Sequence, residues 1–204
     1  MVQWAMRYVI RTALAGAAVL GAGCAGPTVI NTEDAAPPAT NTVAAAPTTS
    51  RAGNAHLANA FDFAADVDGR TGYYFTSPSG RWECAIVPRV RAGCQNARSS
   101  SLGIDGAPDE VPGPDGEPTA PTAITLDRAA GPRFAAPPPP GFALEPGPAR
   151  ELPFNRILAV AGFRCNIQEA SGISCLSEAS GKGFTFSADS YAPVYTDVPA
   201  DAPE

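Results

Sequence analysis

The feature that most constrains the fold is a cysteine unit that occurs twice in the chain. Each copy has an aromatic residue, a cysteine and an isoleucine at alternate positions, and a second cysteine after seven further residues: Trp82, Cys84, Ile86 and Cys94, then Phe163, Cys165, Ile167 and Cys175. Alternate residues of a β-strand share one face, so the first three residues of each unit point the same way. The repeat predicts two related hairpins.

The four cysteines of these units can pair in three ways. Local pairing within each unit is favoured, because nine intervening residues let the chain turn back and bring the two Cβ atoms onto neighbouring strands. The pairing of Cys84 with Cys165 and of Cys94 with Cys175 stays open as the alternative. Zinc is disfavoured, because its cysteine ligands usually lie only about two to four residues apart. We therefore expect no metal ligands.

The composition predicts much irregular backbone around these hairpins. The chain has 22 prolines and 20 glycines among 204 residues, and residues 105–153 alone contain 13 prolines and 6 glycines. Proline lacks an amide donor and glycine is flexible, so little helix is expected. The prediction is one mainly β domain over residues 61–195, a small sandwich or barrel with a long irregular connection. Residues 196–204 are predicted to form a flexible tail.

The N-terminus has the pattern of an export signal. Arg7 and Arg11 precede an apolar run over residues 13–22, too short for the roughly 20 residues that span a bilayer. Residues 1–23 are therefore predicted to be a signal peptide, and Met6 is an alternative start. The run ends at Cys24 and resembles a bacterial lipobox, with Gly21 where leucine is usual. Lipidation of Cys24 is predicted, and ordinary secretion is the alternative.

Residues 24–60 are predicted to be a disordered tether behind the lipid anchor. Residues 25–60 are dominated by small and polar side chains and contain no aromatic residue, so they offer little apolar surface to bury. The only histidine, His56, falls in this segment, and no functional role is expected for it. The net charge is −6. Nucleic acid is excluded as a partner, because this charge repels polyphosphate.

Phrases on both sides of the proline-rich region resemble a family of uncharacterised actinobacterial secreted proteins and lipoproteins. The early phrase is F-x-S-P-S-G-x-x-x-C, from Phe75 to Cys84, and the late ones are G-x-x-C, from Gly172 to Cys175, and G-x-G-F-x-x-S, from Gly181 to Ser187. The resemblance implies a cell-envelope location and two disulfides and brings no known activity. Family members often have asparagine where this chain has Arg81.

No catalytic constellation or cofactor motif is recognisable, and we expect no enzyme and no cofactor. A Ser-His-Asp triad needs a histidine in the domain, and a cysteine nucleophile needs a free thiol. Carboxylates are present in two clusters: Asp62, Asp66 and Asp68, and then Asp105, Asp109, Glu110, Asp115 and Glu117. We expect the second cluster to be a solvated loop, although oxygen ligands of this kind can also hold Ca²⁺.

One possible binding patch stands out around the first cysteine unit. It combines basic and aromatic residues: Arg81, Trp82, Arg89, Arg91, Tyr73 and Tyr74. The arginines would suit an anionic lipid head group or envelope polymer, and the aromatic residues would suit a sugar. The alternative is that the aromatic residues belong to the core and that the arginines form a solvated face beside the acidic loop.

These observations favour a lipid-anchored, non-catalytic binding or interaction module at the outer face of the membrane. Its expected partners are the membrane, through the anchor, and an envelope protein, glycan or anionic lipid. Two alternatives remain: a carboxylate-dependent hydrolase of an envelope glycan and a purely structural surface protein. A pocket with two converging carboxylates would favour the hydrolase.

Overall fold

A computed structural model describes residues 56–98 and 101–203. A 3-10 helix over Ala60–Phe63 precedes fourteen strands. In chain order the strands are β1 (Ala64–Val67), β2 (Arg70–Thr76), β3 (Trp82–Val87), β4 (Arg91–Asn96), β5 (Val111–Pro112), β6 (Pro118–Thr119), β7 (Ala123–Asp127), β8 (Pro132–Ala135), β9 (Arg150–Glu151), β10 (Ile157–Val160), β11 (Phe163–Gln168), β12 (Gly172–Ser177), β13 (Gly183–Phe186) and β14 (Tyr191–Ala192). The predicted mainly β class is confirmed.

The strands form two main sheets. The first has the order β1-β2-β3-β4-β7-β8, and β9 adds to β2 in parallel. The second has the order β10-β11-β12-β13-β14, with every pair antiparallel. β5 and β6 form a separate two-stranded ribbon inside the proline-rich region. That region was predicted to be irregular apart from residues 123–126, and it also contributes the short strands β8 and β9.

The two sheets share one apolar core in a sandwich-like arrangement. The Trp82 ring meets the Phe186 ring edge-on, with 4.9 Å between their centres. Phe75 and Ile124 of the first sheet and Phe163 and Phe184 of the second are fully buried in the same cluster. Burying these rings removes a large apolar area from water, which is the main favourable contribution to folding.

The local disulfide pairing is confirmed. Cys84 is bonded to Cys94 and Cys165 to Cys175, each across directly opposite positions of a hairpin with Cα atoms 4.1 Å apart. All four cysteines are buried in the shared core. The alternative that joined the two hairpins to each other is excluded.

The structural repeat extends well beyond the cysteine units. β2, β3, β4, β7 and β8 follow one another across the first sheet as β10 to β14 do across the second. The registers also agree, since Cys94 faces Ile124 where Cys175 faces Phe184, and Ala92 faces Leu126 where Ile173 faces Phe186. We call these five-stranded units the first and second repeat.

Both predicted domain boundaries need correction. Residues 56–60, which were assigned to the tether, pack on the domain: His56 is buried, and Leu57 pairs with Ile157. Residues 196–203, which were predicted to form a flexible tail, lie against the second sheet, and Val198 is only 6% exposed. The predictions for the signal peptide, Cys24 and the tether over residues 25–55 lie outside the described residues.

Candidate functional site

The outer face of the first repeat is the face turned away from the shared core. Along one row of this face, Tyr74, Ala85, Gly93, Thr125 and Arg133 lie side by side on five adjacent strands. A second row contains Glu83, Gln95, Ala123 and Ala135. The strand register therefore brings together side chains that are distant in sequence.

Phe142 covers the middle of this face. It belongs to the segment that follows β8, and its side chain is 2% exposed. Its ring lies on Gly93 so closely that a Cβ added there would overlap it, so only glycine fits this position. The Phe142 amide donates a 2.7 Å hydrogen bond to Gln95 Oε1, which fixes the covering segment to β4.

The covering segment leaves a large cavity on one side of Phe142. Its volume is about 610 Å³, and its polar lining includes Glu83, Gln95, Asn96, Thr122 and Glu145. Pro137, Pro139 and Pro140 contribute to its walls, and none of the described residues that line it is basic. Gln95 Nε2 donates to Glu83 Oε2 at 3.3 Å. We call this space the larger cavity.

A second, smaller cavity of about 150 Å³ lies beside Phe142 over the other part of the face. Its lining includes Arg91, Thr125, Arg133 and Phe142. The Arg91 guanidinium carbon lies 5.8 Å from the centre of the Phe142 ring, within cation–π range. Pro137 and Ala136 line both cavities, so the two spaces are neighbours. We call this space the arginine cavity.

The outer face of the second repeat carries polar side chains and is covered by the C-terminal segment. Asn166 Nδ2 donates to Tyr195 Oη at 2.9 Å and to the Thr196 carbonyl at 3.0 Å. Burial, and then the neighbouring Asp197 carboxylate, raise the pKa of Tyr195 far above its ordinary value. These interactions hold the segment in place over the buried polar face.

A third cavity, of about 470 Å³, lies near the start of the described chain. Asp62, Arg150, Glu151, Phe154 and Arg156 are among its lining residues, and their formal charges balance. Phe61 on the adjoining 3-10 helix is 87% exposed. Scattered exposed apolar residues are ordinary on soluble domains. This region therefore has a weaker claim to be the functional site than the two cavities beside Phe142.

The structure does not assemble the predicted binding patch. Trp82 is 6% exposed and lies in the core, where Arg81 stacks over it at 4.8 Å. Tyr73 packs against that core, whereas Tyr74 lies on the outer face beside Ala85.

The arginines of the patch are also separated. Arg81 precedes β3 and Arg89 follows it, and six residues of strand place them about 20 Å apart. Of these three arginines, only Arg91 lines one of the three cavities described above. The alternative prediction, that the aromatic residues are structural, describes Trp82 and Tyr73.

The five residues of the predicted acidic cluster, Asp105 to Glu117, are all exposed, as expected for a solvated loop. In the described part of the chain, no group of three or more histidine, cysteine or acidic side chains is placed to hold a metal ion. His56 is buried away from both cavities beside Phe142, and its Nδ1 has no hydrogen-bond partner among the described residues.

Residues that sequence reasoning missed include Gln95, Thr125, Arg133, Phe142 and Glu145. These residues can be identified only when the strand register and the path of the covering segment are known. The available sequence signal was the apolar-Thr-apolar motif shared by residues 124–126 and 184–186.

Comparison with protein-family models, curated proteins and solved structures gives no match for this chain. Within residues 56–98 and 101–203, no helix has the length and hydrophobicity needed to cross a membrane.

Proposed function

We propose that this chain is an exported, lipid-anchored binding module that holds a hydroxyl-rich envelope glycan in the larger cavity. The observation that carries the proposal is the difference between the two outer faces. The second repeat is closed by the C-terminal segment, which hydrogen-bonds directly to its polar side chains. The first repeat is covered by a proline-rich segment that leaves about 610 Å³ open. Binding pockets of small ligands have volumes in this range.

The chemistry of the lining suits a neutral ligand rich in hydroxyl groups. Gln95 and Asn96 carry amides that both donate and accept hydrogen bonds, and Glu83 and Glu145 carry carboxylates that accept them. Sugar hydroxyls can satisfy both kinds of group. The two carboxylates and the lack of a basic lining residue disfavour an anion in this space. The proline rings supply rigid apolar walls at little cost in conformational entropy.

Export is supported by the two disulfides, since such bonds persist in oxidising compartments. Anchoring rests on the signal-like N-terminus ending at Cys24, because stable attachment follows when a lipobox cysteine carries two or more acyl chains. A glycan-binding module held at the outer face of the membrane would keep the envelope polymer close to the cell.

A second function, hydrolysis of the bound glycan, is favoured by one observation. Two carboxylates, Glu83 and Glu145, line the same cavity, and glycoside hydrolysis needs a carboxylate pair. Replacement of either residue by glutamine would abolish such catalysis while keeping the shape of the cavity.

The test uses the full-length chain, purified in detergent with its disulfides intact, and a panel of neutral oligosaccharides of glucose, mannose and arabinose. Isothermal titration should detect binding of at least one series. Glu83→Gln and Glu145→Gln should weaken it by about tenfold, because each loses a charged acceptor. Glu178→Gln, at an exposed position of the second repeat, is the matched control and should leave affinity unchanged.

Three outcomes separate the candidates. Binding without release of reducing ends supports the module, whereas release that Glu83→Gln and Glu145→Gln both abolish supports the hydrolase. Absence of binding to the whole panel, or binding that both variants leave unchanged, contradicts the larger cavity as the glycan site. Thermal unfolding of each variant verifies that the fold is kept.

A further inference from the structure

Thr125 and Thr185 occupy the same place in the two repeats. Each lies on the fourth strand of its repeat, between two residues that face the core. The Thr185 hydroxyl lies 2.8 Å from Ser174 Oγ and 2.9 Å from Thr196 Oγ1, and it donates to the Val194 carbonyl at 2.7 Å. In the second repeat, this buried hydroxyl is therefore fully hydrogen-bonded.

In the first repeat the equivalent hydroxyl is left without a partner. Thr125 is only 3% exposed, and its Oγ1 makes no hydrogen bond with any described residue. Gly93 stands where the second repeat has Ser174, and the Phe142 ring covers it. Gly93 thus provides no hydroxyl partner, and the covering segment supplies no carbonyl in place of Val194. Buried polar groups are almost always hydrogen-bonded, so this exception needs an explanation.

Thr125 is one of the residues that line the arginine cavity. Thr125 and Arg133 are directly opposite each other on β7 and β8, and both line the cavity together with Arg91. Arg133 forms a 3.1 Å ion pair with Asp127, and Arg91 forms no ion pair with a described residue. Two guanidinium groups therefore face one carboxylate, and this leaves a net positive charge. Guanidinium groups present several donors suited to paired oxygen acceptors.

We propose that the arginine cavity binds an oxyanion, the carboxylate or phosphate group of a ligand, between Arg91, Arg133 and Thr125. One of its oxygens takes the acceptor role that the Val194 carbonyl has at Thr185. The volume of about 150 Å³ fits one such group and little more. Hydrogen bonds from arginine to an oxyanion are strengthened by both charges, and Arg91 and Arg133 are both exposed, so an anion can reach them from solvent.

The position of the cavity also refines the ligand class. Because Ala136 and Pro137 line both cavities, the two spaces are neighbours, and a glycan bound in the larger cavity can place an acidic substituent between the arginines. This step rests on the proposed function, and it makes the ligand an acidic envelope glycan, with a uronic acid or a sugar phosphate. The binding of a small anion does not depend on it.

The experiment titrates the full-length chain in detergent with inorganic phosphate, glucuronate and, as the neutral comparison, glucose. Arg91→Gln and Arg133→Gln should each weaken binding of the anion by about tenfold, because each removes a charge-assisted interaction. Arg89→Gln is the matched control, since Arg89 is an exposed arginine that does not line the cavity. Phosphate and glucuronate distinguish the two possible sources of the oxyanion.

Thr125→Val distinguishes a binding role of the Thr125 hydroxyl from a purely structural one. Valine has nearly the same shape and lacks the hydroxyl, so the variant should unfold at a higher temperature than the wild type and bind the anion several-fold more weakly. Added phosphate or glucuronate should raise the unfolding temperature of the wild type more than that of the variant.

Binding of neither anion, or binding that Arg91→Gln, Arg133→Gln and Thr125→Val all leave unchanged, would overturn this proposal. If neutral oligosaccharides still bind and respond to Glu145→Gln, the proposed glycan function stands and only the acidic refinement fails. If anions bind as expected but no oligosaccharide does, the oxyanion site stands and the glycan function fails.

Discussion

The two repeats have the same strand order, the same disulfide and the same buried threonine, yet they differ in what covers them. In the second repeat, the segment after β14 makes hydrogen bonds to Asn166 and Gln168. In the first repeat, the segment after β8 places Phe142 on Gly93 and leaves a cavity on either side. The sheets therefore set the scaffold, and the covering segment of the first repeat decides where its cavities lie.

The largest expected effect tests the equivalence of the two repeats. Each disulfide links cysteines ten positions apart, so loss of either one should cost about 2.5–3 kcal/mol of unfolding free energy. The double variants Cys84→Ala/Cys94→Ala and Cys165→Ala/Cys175→Ala, compared by urea unfolding, should lose similar amounts. Reduction of both bonds should bring the domain close to unfolding under mild conditions. A cost concentrated in one repeat would break the comparison.

Removal of the second cover should have the next largest effect. A chain that ends at Pro193 exposes the buried polar face and loses the burial of Val198, at a cost of about 2 kcal/mol. A chain that ends at Val198 is the control and should stay close to the wild type. Denaturant unfolding measures both. If the two truncated chains are equally stable, the C-terminal segment contributes nothing to the fold, as expected for a flexible tail.

Gly93→Ser makes the first repeat resemble the second at one position. The new side chain overlaps the Phe142 ring, so we expect a loss of about 1–3 kcal/mol. In a Phe142→Ala background the serine has room and can bond to Thr125, so the same substitution should cost less by about 1 kcal/mol or more. A double-mutant cycle by urea unfolding gives this coupling. Strict additivity would mean that Phe142 does not set the difference between the repeats.

The smallest expected effect concerns alkaline pH. Burial and Asp197 raise the pKa of Tyr195 in the folded state, so above about pH 10 the unfolded chain loses this proton first. Stability should therefore be independent of this group below pH 10 and should fall as the pH rises beyond it. Tyr195→Phe should reduce the slope of stability against pH in that range. Tyr74 and Tyr191, whose pKa values burial also raises, account for a residual slope.

The hairpins and their disulfides could be predicted because the information is local. Alternation of Trp82, Cys84 and Ile86 fixes one strand face, and the short spacing to Cys94 fixes the turn back. The full repeat could not be predicted from this unit. Residues 97–122 separate β4 from β7, whereas only residues 178–182 separate β12 from β13, so the equivalent threonines lie at different distances from the cysteines.

The candidate site could not be predicted from local sequence patterns, and the physical reason is different. Arg81 and Arg89 are close in sequence, but a strand holds them at opposite ends, whereas Phe142 reaches Gln95 from 47 positions away. Such contacts depend on sheet register and on the route of a proline-rich segment. Neither has a periodic signal in the sequence. The packing of residues 196–203 was not predicted, because it depends on hydrogen bonds that their backbone carbonyls accept, and side-chain composition gives no sign of such bonds.

The two ends of the described domain lie beside the same short segment. Leu57 pairs with Ile157, and Asn155 Nδ2 donates to the Pro203 carbonyl at 3.1 Å. In topological terms the folded chain is nearly a closed ring, which passes through one repeat and then the other before it returns to its starting point. A circularly permuted chain, joined there by a short linker and opened in an exposed loop, should therefore reach the same architecture.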